Sequence, residues 1–260
     1  MTMSTLVICF FVLYVIAISA EAWHSHRKNM KLYDIRDTAV SISLGAAGVT
    51  VRSLTKGAGL LFWYWLYGFS AYRFPDAGWV WILLFFLNEF VYYWFHRVSH
   101  ENRFFWAVHV NHHSSEKFNF STATRTPFFN AIYHNIFWAP LPLLGFDPAM
   151  IFSTELVGFL FAFFQHTQLV GKIRYIDYVF NTPSHHRVHH ASNPEYLNKN
   201  YGNVLIVFDR MFGTFRDEDK DIRPVFGITR NVNSYNLLRV IFHEWMDMLN
   251  EYMGRTKSSK

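Results

Sequence analysis

Asn181-Thr-Pro-Ser-His-His-Arg-Val-His-His190 is the densest run of metal-ligating side chains in the chain, and two earlier stretches match it, His96-Arg-Val-Ser-His100 and His109-Val-Asn-His-His113. Nine of the fourteen histidines lie in these three stretches. On a helix, residues at i, i+3 and i+4 share one face, so each stretch points several imidazoles the same way. Neutral imidazole is the commonest protein ligand for metals, and a set rich in it suits Fe, Zn, Cu or Ni. His96, His100, His109, His112, His113, His186, His189 and His190 are too many for one ion. They predict two.

Working outward, the composition sets the surroundings of this site. Half of the 260 residues are apolar, a fifth are aromatic, and only 17% are charged. That aromatic load is heavy for a water-soluble protein. The net charge of +5 and pI near 9.2 suit a chain facing an anionic membrane surface. Nucleic acid is excluded as a partner, because the basic residues are scattered between apolar segments. The single cysteine, Cys9, lies in an apolar run, which leaves no disulfide framework and no thiolate metal site.

Residues 2–20 carry no charge, enough to span a bilayer, and the basic flank His24, His26, Arg27, Lys28 and Lys31 follows at once. The absence of a basic region before the run predicts an anchor rather than a cleaved signal. Residues 57–72 and 78–95 read as one transmembrane hairpin, turned at Arg73-Phe-Pro-Asp76. A second runs over 127–145 and 148–165. Residues 38–51 are small, glycine-bearing and short for a span, and predict a re-entrant or interfacial helix. With the basic flank and the histidines on one side, the expectation is an all-α integral membrane bundle of about five spans. A cytoplasmic layer holding two metals caps it. The chain reads as a single domain over 1–260 with its histidine-box core at about 78–215. The host membrane is bacterial inner membrane or endoplasmic reticulum.

The order HxxxH, HxxHH, a later lone histidine and HxxHH resembles the fatty acid hydroxylase/sterol desaturase superfamily of membrane di-iron enzymes. Asn181–His190, Lys199-Asn-Tyr-Gly202 and Asp209-Arg-Met-Phe-Gly-Thr-Phe215 most resemble its alkylglycerol monooxygenase branch, over roughly residues 34–215. The resemblance implies two non-haem irons, O2, a lipid substrate and, for that branch, tetrahydrobiopterin as electron donor. It carries the eight box histidines over as ligands and adds His166, in Phe-Phe-Gln-His-Thr, as a ninth. His185 is either a hydrogen-bond donor behind the ligands or a further ligand. Glu89 matches an acidic position before the first box and sits two helical turns from His96. Its expected role in the catalytic layer is to accept an imidazole N–H, as carboxylates behind metal-bound histidines do. Asp209 is a second candidate for that role.

Three further readings complete the expectation. His134 falls within an apolar run and reads as a satisfied structural residue. Arg97, Arg125, Arg187 and Arg210 lie near the metal layer and read as interface anchors rather than lipid-headgroup ligands. The reaction is O2-dependent hydroxylation of an aliphatic C–H in a lipid, including an ether-linked alkyl chain. Acyl, sterol or carotenoid hydroxylation or desaturation, and a metal-binding membrane protein without catalysis, are the alternatives. A transporter should hold its ligands near mid-span, whereas these lie at span ends.

Overall fold

The computed structural model describes residues 3–127 and 129–255; the 2–20 run therefore begins outside the described residues. Among the described residues ten α-helices follow one another: α1 (Met3–Arg27), α2 (Ile35–Tyr67), α3 (Gly78–Glu101), α4 (Arg103–His113), α5 (Asn130–Trp138), α6 (Pro140–Leu144), α7 (Pro148–Gln165), α8 (Pro183–His189), α9 (Val207–Phe212) and α10 (Leu237–Tyr252). Among the described residues there is no strand beyond the isolated bridges Phe180–Leu205 and Ala191–Phe226. The fold is all-helical, as the sequence predicts.

The stretch 38–51 is not a separate re-entrant segment. It is the first half of α2, a continuous helix of 33 residues and about 50 Å in length. The Asp34 carboxylate starts it by accepting the amides of Arg36 and Asp37, and no proline interrupts it. Its small residues serve close approach instead. A Cβ at Gly48 would sit 3.0 Å from Thr126, and one at Gly59 only 2.5 Å from the Asn135 amide.

Those contacts also fix the next leg. Thr126 lies beside Gly48 and Asn135 beside Gly59, while the Phe74 amide beyond the end of α2 donates to Gly145. Residues 126–145 therefore run alongside α2 in the same direction. Pro140 breaks this leg into α5 and α6, because proline lacks the N–H and its ring clashes with the preceding turn. Trp63 Nε1 donates to Asn135 O and Trp138 Nε1 to Asn88 Oδ1, tying α5 to α2 and α3. Around these ties Trp63, Leu84, Phe95, Tyr133, Trp138 and Phe146 form the main apolar core.

Two helices among the described residues, α3 and α7, are long and apolar enough to cross a membrane. Both end where the histidines begin. Asn102 turns the chain between α3 and α4, its carboxamide oxygen capping the amides of Phe104 and Phe105. This corner folds α4 back so that its histidines face those of α3.

A candidate metal centre of nine imidazoles

The histidines gather into two adjacent groups. His96 and His100 from α3, His109 and His113 from α4 and His189 from α8 each bring one nitrogen to within 4.8 Å of the others. His112 from α4, His166 after α7, and His186 and His190 of the α8 segment do the same. The HxxHH motif splits its members. On α4 the first and last histidines join one group and His112 joins the other; on the α8 segment His186 and His190 join one and His189 the other. Side chains three and four residues on diverge by about 100° around a helix axis, which is what sends them to different centres. The groups touch where His113 stacks on His190, with centroids 4.2 Å apart.

Backbone carbonyls aim the rings. Nδ1 of His96 lies 2.8 Å from Tyr201 O, His112 3.0 Å from Arg125 O, His166 2.7 Å from Ala162 O and His189 2.9 Å from Lys199 O. A carbonyl only accepts, so each of these Nδ1 atoms carries the proton and each Nε2 is a bare lone pair. Those Nε2 atoms converge. His96 Nε2 lies 3.2 Å from His109 Nε2, His109 Nε2 is 3.1 Å from His113 Nε2, and His186 Nε2 is 3.0 Å from His166 Nε2. Nε2 of His100, His189 and His190 is buried with no protein partner. Inward-facing lone pairs and buried orphan nitrogens are what a bound cation would satisfy, and this donor set fits a metal that accepts neutral nitrogen. Among the described residues, no carboxylate belongs to either group.

Burial keeps the imidazoles neutral. It pushes His109, His113, His186, His189 and His190 well below the ordinary histidine range, and His112 down from 6.5 to about 4. The unfolded chain therefore binds protons that the folded chain refuses, and stability falls as pH drops from 6.5 toward 4. His112 alone accounts for about 3 kcal/mol over that window. Acid titration followed by thermal unfolding and by bound metal should show both falling together below about pH 6.5, with no comparable loss on the alkaline side.

Other expected members fall elsewhere. His185 is fully buried but belongs to neither group. Its Nδ1 faces Phe180 O at 3.3 Å, its Nε2 is 3.8 Å from Asp217, and its ring meets Phe215 edge-on, because one further residue along α8 rotates it away. Glu89 does not accept an imidazole N–H. Its Oε2 accepts the amides of Val204 and Leu205, each at 2.8 Å. Asp209 likewise takes the Tyr201 and Gly202 amides at 2.7 and 2.8 Å. Both carboxylates therefore shape the 201–205 loop, whose Tyr201 carbonyl orients His96.

Two of the four arginines, Arg125 and Arg187, are buried against acidic partners inside the protein. Arg187 grips Glu218 through two nitrogens and the Thr167 and Val170 carbonyls through a third. Arg125 is buried against Asp37 at 3.2 Å, and Ser115 donates to the same carboxylate. Arg97 pairs with Glu101, and Arg210 lies over the Phe215 ring. His134 takes the structural role expected of it, 2.7 Å from Glu155 and stacked on Trp138.

Sequence reading missed Glu21. It is buried, accepts from Tyr33 Oη and the Phe120 amide, and also bonds Thr167, beside His166. One signal was present: a lone acid between the uncharged run and its basic flank. The carbonyl acceptors had none, since every residue carries one.

The features together define a class, an all-helical protein built around a histidine-box metal centre. Residues 81–214, more than half of the chain, match the fatty acid hydroxylase family, and the chain belongs to it. Among proteins of known activity it is similar to alkylglycerol monooxygenase of Caenorhabditis elegans, 42% identical over 191 residues covering 71% of this chain and 36% of that one. Alkylglycerol monooxygenase of Homo sapiens is 36% identical over 213 residues, covering 80% and 46%. Ornithine lipid hydroxylase OlsE of Rhizobium tropici is 29% identical over 148 residues, covering 56% and 44%. The chain spans less than half the length of these relatives. No solved structure matches it.

Proposed function

We propose that the protein is a membrane-bound di-iron monooxygenase that oxidises the O-alkyl chain of an ether lipid. The observation that carries this reading is the pair of touching imidazole groups, of five and four members, in a chain whose similar relatives include alkylglycerol monooxygenases. In this reading all nine histidines are ligands and the whole chain is one hydroxylase unit, with its box core at about 78–215. Iron held there supplies activation of O2 for insertion into an inert C–H bond, chemistry that no side chain provides. The protein's part is to hold nine rings neutral, aimed and dry. The four carbonyl acceptors fix the tautomers, and the Asp209 and Glu89 carboxylates hold the loop that carries one of them.

The overall change is R–CH2–O–R′ plus O2, two electrons and two protons giving R–CH(OH)–O–R′ and water. The hemiacetal then expels the glycerol alcohol and leaves a fatty aldehyde. The electrons come from a two-electron donor, for which a reduced pterin is the candidate. An open cavity of about 160 Å³ reaches His100, His113, His189 and His190 past Trp106 and offers a way in for small reactants. Membranes containing the protein should convert an O-alkylglycerol to aldehyde only with O2 and a reductant, and labelled oxygen from O2 should appear in the aldehyde. A stable hydroxyl on an acyl chain with ether lipid untouched would move the reading to the hydroxylation suggested by the OlsE relative.

The reading includes a bilayer crossed by α1, α2, α3, the α5–α6 leg and α7. Large apolar side chains supporting it face outward on the long helices, including Leu13, Leu61, Trp65, Ile82, Phe86 and Val157. The histidine ends of α3 and α7 would then lie in the cytoplasm, with the 68–77 turn opposite. With Cys9 replaced, a cysteine at Glu116 should react with an impermeant reagent only from the cytoplasmic side, and one at Asp76 only from the other. Labelling of both from one side would refute the arrangement.

A further inference from the structure

One groove with charged groups set in a largely apolar wall stands apart from the histidine groups. It is open to the outside, lies between α2, α5 and α7, and is lined by Arg52, Lys56, Thr126, Asn130, His134 and Glu155 among others. Arg52 and Lys56 stand one helical turn apart on α2, within a helix read above as crossing the membrane. Ionisable groups in such places are paired or serve a ligand. The one carboxylate in the groove, Glu155, is already engaged with His134 at 2.7 Å. Among the described residues neither cation has a salt-bridge partner, and the Lys56 ammonium sits 4.0 Å above the Phe152 ring. Asn130 Oδ1 is buried in the same region without a donor.

The groove thus presents two cations without acidic partners, and Asn130 in its wall carries a side-chain oxygen that no donor reaches. A group that answers all three carries anionic oxygens and also an O–H. Snorkelling of Arg52 and Lys56 toward the interface would account for the cations but would leave Asn130 Oδ1 unanswered. The groove also adjoins the metal layer in sequence: Thr126 follows Arg125, whose carbonyl receives His112. Arg52 is only one turn of α2 beyond Gly48, the neighbour of Thr126, a rise of about 6 Å. A headgroup seated here keeps the first carbons of an attached alkyl chain near the second imidazole group.

We propose that this groove is the subsite for the lipid headgroup and that it takes a glycerol phosphate with a free hydroxyl. This rests on the lipid-monooxygenase reading above. Phosphate lies against Arg52 and Lys56, and the hydroxyl donates to Asn130 Oδ1.

The test is direct binding to the full iron-loaded chain in phosphate-free maltoside micelles, comparing O-hexadecylglycerol with its phosphate monoester. The phosphorylated lipid should bind about tenfold more tightly or better, as charge-assisted hydrogen bonds require. In the Arg52→Gln/Lys56→Gln double variant that preference should vanish, with iron per chain and binding of the neutral lipid retained. Lys56→Arg should keep the preference. Free glycerol phosphate should displace the phosphorylated lipid, and inorganic phosphate should do so more weakly. Equal binding of the two lipids by the wild type, or a preference that survives in the double variant, would overturn the proposal. So would displacement by inorganic phosphate as effective as by glycerol phosphate, which would mean an adventitious anion site only. If binding behaves as expected and neither lipid is oxidised, the subsite stands and the monooxygenase reading fails.

Discussion

Replacing His189 by alanine should strip iron from the protein and abolish turnover together. His189 is the member of the last box that joins the five-imidazole group, with ring centroids 4.4 Å from His96, 4.7 Å from His100 and 4.8 Å from His113. Its Nδ1–H is held by Lys199 O at 2.9 Å, so the ring cannot turn its proton inward, and its Nε2 has no protein partner. The loss should exceed the roughly 10–100-fold that removal of an outer hydrogen-bond partner costs. Wild-type protein should carry two irons per chain and His189→Ala fewer, by metal analysis on protein that elutes as a single species. The internal control is His185→Gln, four residues away in the same decapeptide. It alters a buried side chain outside both groups, so it should lower stability yet leave iron per chain unchanged. Full iron and activity in His189→Ala would remove the basis for the two-centre reading.

That contrast shows how far the sequence could be read. The i, i+3, i+4 spacing picks out the box histidines because a helix puts such residues on one broad face. It does not say that His112 and His113 serve different groups, since this depends on which neighbouring helix each ring meets. His185 and His186 are equally good ligands by type. Only the position of α8 against His166, with its ring 4.3 Å from that of His186, separates them. The helices show the same division. Pro140 and Gly145 bound the short α6 at its two ends, because proline and glycine act locally. The glycines of 38–51 misled, because intrinsic helix propensity is a weak prior that packing overrides. Gly48 and Gly59 are there to admit Thr126 and Asn135, contacts made across long stretches of chain.

Glu89 is where spacing and structure part most, and its substitutions should separate two roles. The carboxylate is 1% exposed and accepts two backbone amides through one oxygen, while its other oxygen is buried without a donor. Those amides belong to the loop that also carries Tyr201 O, the acceptor for His96, and that Gln165 pins through Asn203 O at 2.7 Å. Alanine would leave both amides buried and unanswered, and two hydrogen bonds to a charged group contribute about 3–6 kcal/mol. Glu89→Ala should therefore unfold roughly 10 °C earlier and lose iron along with it, as the loop releases His96. Glutamine keeps an oxygen where the two amides need one and places its NH2 where the present oxygen has no donor. Glu89→Gln should therefore keep most of the iron and turnover. A residue that bound iron or moved a proton would be damaged as badly by glutamine as by alanine. If both variants fold, hold their iron and lose turnover alike, Glu89 acts in the chemistry itself and the loop-holding account is wrong.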